Sequence, residues 1–533
     1  MFASIDAPPW SFFVRTAQAV IEASPTLVCG LLVTGVLRRM VGGEGMRRLF
    51  GRGGWNSLVR AWGLGMLLPV CSLGVIPIAR ELRRGGVSGA TVIAFALAAP
   101  LINPLSLLYG LTLARPAVIL CFAAASLVVS LVAGWWWERL FPGEAVDDNS
   151  PPEQLPPPGP RRLVSVVETA ARELTGPSLR YWFVGLVGVG ALALCLPNRS
   201  LQRTMQHNDA TAPLLMTALA IPAYDPPLKA MMQVGLMFEH GNSVGAAFVL
   251  FILGAGMNLG TLALVAQAHG WRSTAIWLGP VVLVTLALAY ASEPTLYFKE
   301  EPEDHTHAFD DFASPFELEA GNLSFQGVVW PRVKEKLQGF EVAGLMGLAG
   351  LALVNLALRS ADRFWNVEAF LLRPNAALAT KREWDLVIPG HILAIIGLTG
   401  LVVFGVVGAY VYYPPPEVVF REMHHVRAEA LVAVISDKRQ DAIRQLEDWD
   451  LLTRKLEVGV VLRTGRLSHE SHQRAEELRD ALEELRDRVL AKQMDEARGL
   501  QDKVEEIYYR CRATYLDAER EGVAHRTTAR GSP

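Results

Sequence analysis

Eight runs of about 20 mostly apolar residues, the length a helix needs to cross a bilayer, lie near 16–37, 87–111, 115–138, 180–197, 242–268, 274–291, 340–358 and 388–412. In lipid every backbone polar group must be satisfied internally, so runs of this kind fold as helices. The expected fold class is an all-α polytopic membrane protein with the lipid bilayer as its surroundings. A composition of 51% hydrophobic and 19% charged residues over 533 positions excludes an ordinary soluble enzyme. The net charge of −3 gives no reason to expect a nucleic-acid partner.

Two further apolar runs, 61–79 and 211–235, are interrupted by proline. The first, LLPVCSLGVIPIARELRRGG from Leu67, holds Pro69 and Pro77 around Cys71. The loop before it, Arg38 to Arg60, carries six arginines against Glu44 alone, and the loop after it is also basic. By the positive-inside rule both loops are cytoplasmic. The segment between them then enters the membrane and returns, or else it is a broken spanning helix. Unwound backbone of either kind is tolerated only inside protein or along a cavity. The second run contains IPAYDPPLKAMM, with Pro222, Pro226 and Pro227 as breakers.

The stretches GGVSGATVIAFALAAPLINPLSLL from Gly85 and HGNSVGAAFVLFILGAGMNLGTLAL from His240 align when Ser88 is set against Ser243, which places Asn103 against Asn258. Each follows one of the broken runs. Each half then has three spans and one re-entrant segment, an odd number, so the halves are expected as inverted repeats. Transporters built this way bind substrate near the midplane, between the paired breaks.

The expected organisation is a first transmembrane repeat (1–141), a Pro-rich cytoplasmic linker (142–176), a second repeat (177–292), an acidic extracytoplasmic loop (293–339), two additional helices (340–413) and a soluble helical domain (414–533). Counting spans from the basic loops puts the last of these outside the inner, or plasma, membrane. In it Leu478, Leu482, Leu485 and Val489 form an apolar stripe that resumes at Leu500, Val504, Ile507 and Cys511 after a slip near Lys492, the pattern of an antiparallel bundle. The bundle is a candidate docking or sensing module for a protein partner.

The motif CSLGVIPIARELRRGGVSGATVIAFALAAPLINP, with its weaker echo from Ile221 to Asn258, resembles the repeats of the predicted permeases that include the ArsP-type organoarsenical efflux proteins and their YraQ-like relatives. The resemblance covers roughly residues 15–292. It implies an inner-membrane permease for a small solute, with Cys71, Asn103 and the proline breaks near the pathway. The family pattern often has a second cysteine two residues after the first, where this chain has Leu73.

Candidate substrate-binding residues are therefore Cys71, Ser72, Pro100, Asn103, Tyr224 and Asn258, each at or beside a break. Cys71 is either a soft ligand or a small buried filler. Asn103 either replaces lost backbone hydrogen bonds or meets the solute. Asp225 and Lys229, four residues apart, are candidates for coupling to an ion gradient, since intramembrane charges mark pathways and proton relays; the bland alternative is a pair at an aqueous mouth. Glu22 has the same ambiguity. His305 and His307, among carboxylates, offer metal ligands, although an exposed acidic loop is the reading to prefer.

No Walker A pattern accompanies the spans, no CxxC pair occurs among the five cysteines, and no cofactor or catalytic residue is expected. Two function classes remain: a secondary transporter for a small molecule or ion, and a membrane-anchored interaction or sensing protein presenting its tail. A membrane enzyme with Cys71 as nucleophile is weaker, because no histidine is near it in sequence.

Overall fold

A computed structural model describes residues 9–51, 53–102, 106–107, 110, 116–142, 155–157, 160–207, 209–296, 306, 308–316, 326, 329–337, 339–372, 403, 406–408 and 410–529. Asn103, His305 and His307 lie outside the described residues, as does most of the run at 388–412. The chain divides into two compact units, 1–397 and 398–533. Among the described residues every regular element is helical.

The first unit is organised around α1 (Trp10–Val36), which continues through a π-helical turn into α2 (Gly42–Phe50). With a rise of 1.5 Å per residue, α1 is about 40 Å long and reaches from one side of the unit to the other. Then come α3 (Trp55–Met66), α4 (Val75–Arg84), α5 (Gly89–Ala98), α6 (Pro116–Leu140), α7 (Pro160–Leu174), α8 (Leu179–Cys195), α9 (Ala212–Ala223) and α10 (Pro227–Glu239). They are followed by α11 (Val244–Val249, extended by a π-turn to Ala255), α12 (Leu259–His269), α13 (Trp271–Leu296), α14 (Trp330–Lys334), α15 (Gly339–Ala361) and α16 (Val367–Leu372). Among the described residues four helical stretches are long and apolar enough to cross a membrane, and six if the bent pairs α7–α8 and α11–α12 each count as one span.

The two proline-broken runs both form helical hairpins. At the Arg39 end of α1, Arg38 pairs with Glu81 at 2.5 Å, and a Cβ on Gly43 would fall 3.3 Å from the Gly85 carbonyl oxygen. The chain before α3 and the chain after α4 therefore meet at one end, and the segment between them enters and returns. At the opposite, Arg15 end, the Ser243 N–H donates to the Met205 carbonyl at 2.9 Å, and Glu293 accepts from both Ser243 Oγ and the Gly245 N–H. The α9–α10 hairpin thus opens at that end. Arg15 itself donates to the Asp310 and Ala313 carbonyls, and Gln202, just upstream of Met205, donates to the Asp310 carboxylate, which ties the two regions together.

The hairpins enter from opposite ends, the relation expected of inverted repeats. The aligned serines play one role in both: Ser88 caps α5 through the Thr91 N–H, and Ser243 caps α11 through the Ala246 N–H.

Two expectations about the connecting segments change. The second half of the stretch read as linker is α7, an amphipathic helix whose Arg162, Glu168, Ala170 and Ala171 are buried. Arg39 reaches Glu168 and Thr169 on it, and Arg80 reaches Glu173 at 2.6 Å. Proline-rich composition ahead of it hid the apolar face of VSVVETAAREL. The described part of the acidic loop, likewise, is not a solvated segment. Phe309, Phe312, Ala313 and Phe316 are buried, Ser314 bonds Ser11 at 2.9 Å, and the Ser314 N–H donates to the Leu196 carbonyl.

In the second unit, α17 (Pro416–Ile435), α18 (Arg439–Thr464), α19 (His469–Leu490) and α20 (Met494–Ala529) form a four-helix bundle. Leu478, Leu482, Leu485, Val489, Val504 and Cys511 line its core as the stripe requires, around a fully buried Trp449. Gly465, at φ 73°, ends α18, and Ser468 caps α19 through the Ser471 N–H. The slip near Lys492 is the turn into α20, with Lys492 itself at φ 60°.

Candidate functional site

The first hairpin is broken between Met66 and Val75, and its freed backbone groups find specific partners. Trp182 Nε1 on α8 donates to the Leu73 carbonyl at 2.9 Å, the Val75 N–H to the Cys71 carbonyl at 2.9 Å, and the Gly74 N–H to Cys71 Sγ at 3.3 Å. Helix α1 can lie directly against this tip because Gly30 has no side chain: a Cβ there would sit 2.4 Å from the Gly74 carbonyl oxygen. Cys71 and Ser72 are fully buried, and the Ser72 hydroxyl has no hydrogen-bond partner among the described residues.

The second hairpin turns at Tyr224, which adopts φ 42°, ψ 104°. A bulky residue held in that region carries strain of about 1–3 kcal/mol, a feature that clusters at functional sites. Its ring is buried in the same cluster as Cys71, Leu73 and Trp182, with the phenol beside the Cys71 thiol. Among the described residues the hydroxyl nonetheless lacks a partner of hydrogen-bonding geometry. The tips of the two hairpins therefore touch, through Cys71 and Tyr224.

Asn258 joins them from the bend between α11 and α12, where the axis turns by 57°. Its Oδ1 accepts from the Thr261 N–H at 2.9 Å and Thr261 Oγ1 accepts from the Asn258 N–H, a reciprocal cap of α12. That is a structural role. Its Nδ2 is buried without a partner among the described residues, and a Cβ on Gly185 of α8 would meet both Leu73 Cδ2 and Asn258 Oδ1 within about 3 Å. Pro100 is buried just past the end of α5. Among the described residues Ser72 Oγ, Tyr224 Oη and Asn258 Nδ2 find no hydrogen-bond partner around one packed junction; leaving such a group dry costs about 1–3 kcal/mol, which makes a polar visitor favourable there.

Next to Tyr224 begins a network of charges. Asp225 is fully buried, 3.4 Å from Lys229 Nζ, and neither carboxylate oxygen accepts a hydrogen bond from a described residue. Lys229 also reaches Glu22 at 3.2 Å and Asp311 at 3.3 Å, Lys336 reaches the same two carboxylates at 3.1 and 3.0 Å, and Arg15 reaches Asp311 at 3.1 Å. Three cations face three carboxylates. Burial alone would raise the Asp311 carboxyl, but Lys229, Lys336 and Arg15 outweigh it and hold the group well below the usual carboxylate range. Asp225 itself is buried, whereas Lys229, Lys336 and Asp311 keep partial exposure, and the loop segment carrying Asp311 pairs with Lys229. Arg15 and Lys336 were not singled out from the sequence, and Asp311 only as one of the carboxylates near His305 and His307, because the three come together only through the fold.

Cys29 immediately precedes Gly30, whose backbone packs on the first tip at Gly74, so α1 brings a second cysteine to the neighbourhood of that tip.

On the Arg39 side of the junction a cavity of about 300 Å³ runs inward from Arg83, Arg84 and His269 to Val75, Ile76 and Thr261. Its walls are apolar, built from residues such as Val92, Ile93, Ala96 and Val265, and its lining reaches Val75 and Ile76, just past the first hairpin's break, and Thr261, just past the α11–α12 bend. Among the described residues no cluster of three or more metal-ligating side chains occurs.

Opposed re-entrant hairpins with touching tips, a polar junction and an apolar cavity on one side define the class: a polytopic membrane permease. Comparison of the sequence agrees. Residues 11–293 match the ArsP_1 family, described as predicted permease, and the chain belongs to that family. The UPF0718 protein YcgR of Bacillus subtilis (strain 168) is 25% identical over 283 residues, covering 50% of this chain and 92% of that protein. No solved structure matches.

Proposed function

We propose that this chain is a secondary transporter of the inner, or plasma, membrane that exports a small, soft, thiol-seeking solute, of the metalloid, metal or thiol-linked kind, through the junction of its two hairpin tips. The observation that carries the reading is the contact of Cys71 with Tyr224, at the meeting point of two segments that enter from opposite ends. An anchor for a soluble domain gains nothing from unwound backbone and unsatisfied polar groups held at depth.

The basic residues of the Arg39 end favour a cytoplasmic location for it. The cavity then opens inward, and a solute passes along apolar walls to Cys71, with Cys29 as a second sulfur. The Arg15 end faces outward and is closed by the segment 306–316. Movement of that segment, with exchange of partners among Glu22, Asp225, Lys229 and Asp311, would open the far side, and a proton on Asp225 is the candidate coupling species. By the same count the C-terminal bundle is extracytoplasmic, where it is free to meet a protein partner.

The test is a thermal-shift screen of the purified protein against trivalent metalloids, soft metal ions and small thiols, since a ligand of the native state raises its apparent stability. Flux of the best ligand in vesicles follows, for the native chain, Cys71→Ala and Cys71→Ser. Loss of binding and flux in the alanine variant supports the reading. Native-rate flux in both variants would place the site elsewhere.

The second reading, a membrane-anchored interaction protein, draws on the compactness of the bundle as a unit of its own. Absence of flux for every ligand that shifts stability would favour it.

A further inference from the structure

The bundle carries a site of its own. On the surface of the second unit most arginines are neutralised locally: Arg444 by Asp441, Arg454 by Asp450, Arg474 by Glu477, Arg498 by Asp495 and Arg510 by Glu506. Arg421 on α17 and Arg512 on α20 depart from this pattern, with no ion pair among the described residues. Both border one cavity of about 390 Å³ between the two helices. His424, His425 and Tyr509 share its rim, and Phe420 and Tyr508, both nearly fully buried, form its floor.

The floor is held rigidly. Phe420 and Tyr508 pack edge to face at 6.0 Å, and Tyr508 packs against Trp449 of the core at 5.7 Å. The Arg427 guanidinium lies over both tyrosine rings, 5.2 Å from that of Tyr508 and 5.3 Å from that of Tyr509, and is itself paired with Glu505. Glu417 is the one carboxylate among the lining residues. Two guanidinium forks and two imidazoles thus converge on a preformed hollow where a single acid opposes them. Arginine forks match the geometry of phosphate and carboxylate oxygens, and tyrosine and histidine add further N–H and O–H donors.

We infer that this cavity binds a small multivalent oxyanion, bearing phosphate or several carboxylates, between α17 and α20. The inference is independent of the transport reading. It gives the bundle a small-molecule sensing role and requires nothing of the membrane unit.

The experiment is isothermal titration of the full-length protein in detergent with sodium pyrophosphate and, separately, with sodium citrate, at matched low ionic strength. At least one anion binds saturably; pyrophosphate alone marks a phosphate-type ligand and citrate alone a polycarboxylate. Arg421→Gln with Arg512→Gln weakens binding by about tenfold or more, and Glu417→Gln, which removes the opposing charge, tightens it by about threefold. The glutamate variant guards against misfolding as an explanation, because a damaged bundle does not gain affinity. No saturable binding of either anion to the native chain, undiminished affinity in the arginine variant, or weaker binding after Glu417→Gln would each overturn the assignment.

Discussion

The two hairpins share a plan and differ in chemistry. The first turns through Pro69-Val70-Cys71-Ser72-Leu73-Gly74, with no ionisable group but a thiol, and its freed carbonyl is taken up by Trp182. The second turns through Tyr224-Asp225-Pro226 and leads at once into a network of six charges that includes a loop residue and α1. One hairpin is open to a cavity at its base, whereas the other is covered by packed aromatic residues. The backbone device repeats while the side chains diverge; in the transport reading proposed above, the first tip would grip solute and the second would serve coupling and closure.

The largest effect expected from breaking this asymmetry is at the covered side. Ser11→Cys with Ser314→Cys, whose hydroxyl oxygens are 2.9 Å apart, should form a disulfide under oxidation that fixes the loop. Flux of the solute found by screening should then cease and return on reduction. Unaltered flux in the cross-linked protein would mean that segment 306–316 does not gate.

Removing one charge of the network comes next. Lys229→Met leaves Glu22, Asp225 and Asp311 with too few cations, and breaking a buried pair costs about 3–5 kcal/mol, discounted here because Lys229 keeps some exposure. A marked drop in the detergent melting temperature is expected. Asp225→Asn removes a charge without adding bulk, and it should abolish pH-driven transport while leaving solute binding measurable. Retained pH dependence would return Asp225 to a structural role.

Asp311 sharpens the same point through its sign. Its carboxyl is held below the usual value, so its contribution to stability is complete above about pH 4 and is lost only as pH falls further. Any pH dependence of flux between about pH 5 and 8, the window of ordinary histidine titration, therefore comes from other groups. Asp311→Asn removes a negative charge that shares Lys229 with Asp225, so if Asp225 carries the coupling proton the midpoint of the profile should shift; an unshifted midpoint would contradict that role.

The smallest effect is expected at Asn258. Asn258→Ala removes the cap of α12, at a cost of about 1 kcal/mol, seen as a modest fall in melting temperature. A far larger loss of flux than of stability would show that its unpaired Nδ2 meets the solute.

What was legible in the sequence is what local chemistry dictates. Prolines mark the breaks, arginines mark the end to which the first hairpin returns, and the stripe from Leu478 marks the bundle. Ser88 and Ser243, aligned from residue patterns alone, prove to be equivalent caps. Less legible were contacts between distant segments. Arg15 and Asp311 are nearly three hundred positions apart, and nothing in either neighbourhood announces the other. Helix α7 was concealed by the prolines before it, although the spacing of Val166, Ala170 and Glu173 carried a helical face. Cys29 looked like one more apolar cysteine until α1 placed it beside the first tip.

The central claim is that the hairpins enter from opposite ends, and side-specific labelling addresses it most directly. Single cysteines at Gly45, Arg84, Thr211 and His240, in a background lacking the native cysteines, can be probed with an impermeant maleimide on sealed right-side-out and inside-out vesicles. Gly45 and Arg84 should react from one side and Thr211 and His240 from the other. Opposite accessibility within either pair would make that segment a spanning helix and contradict the account.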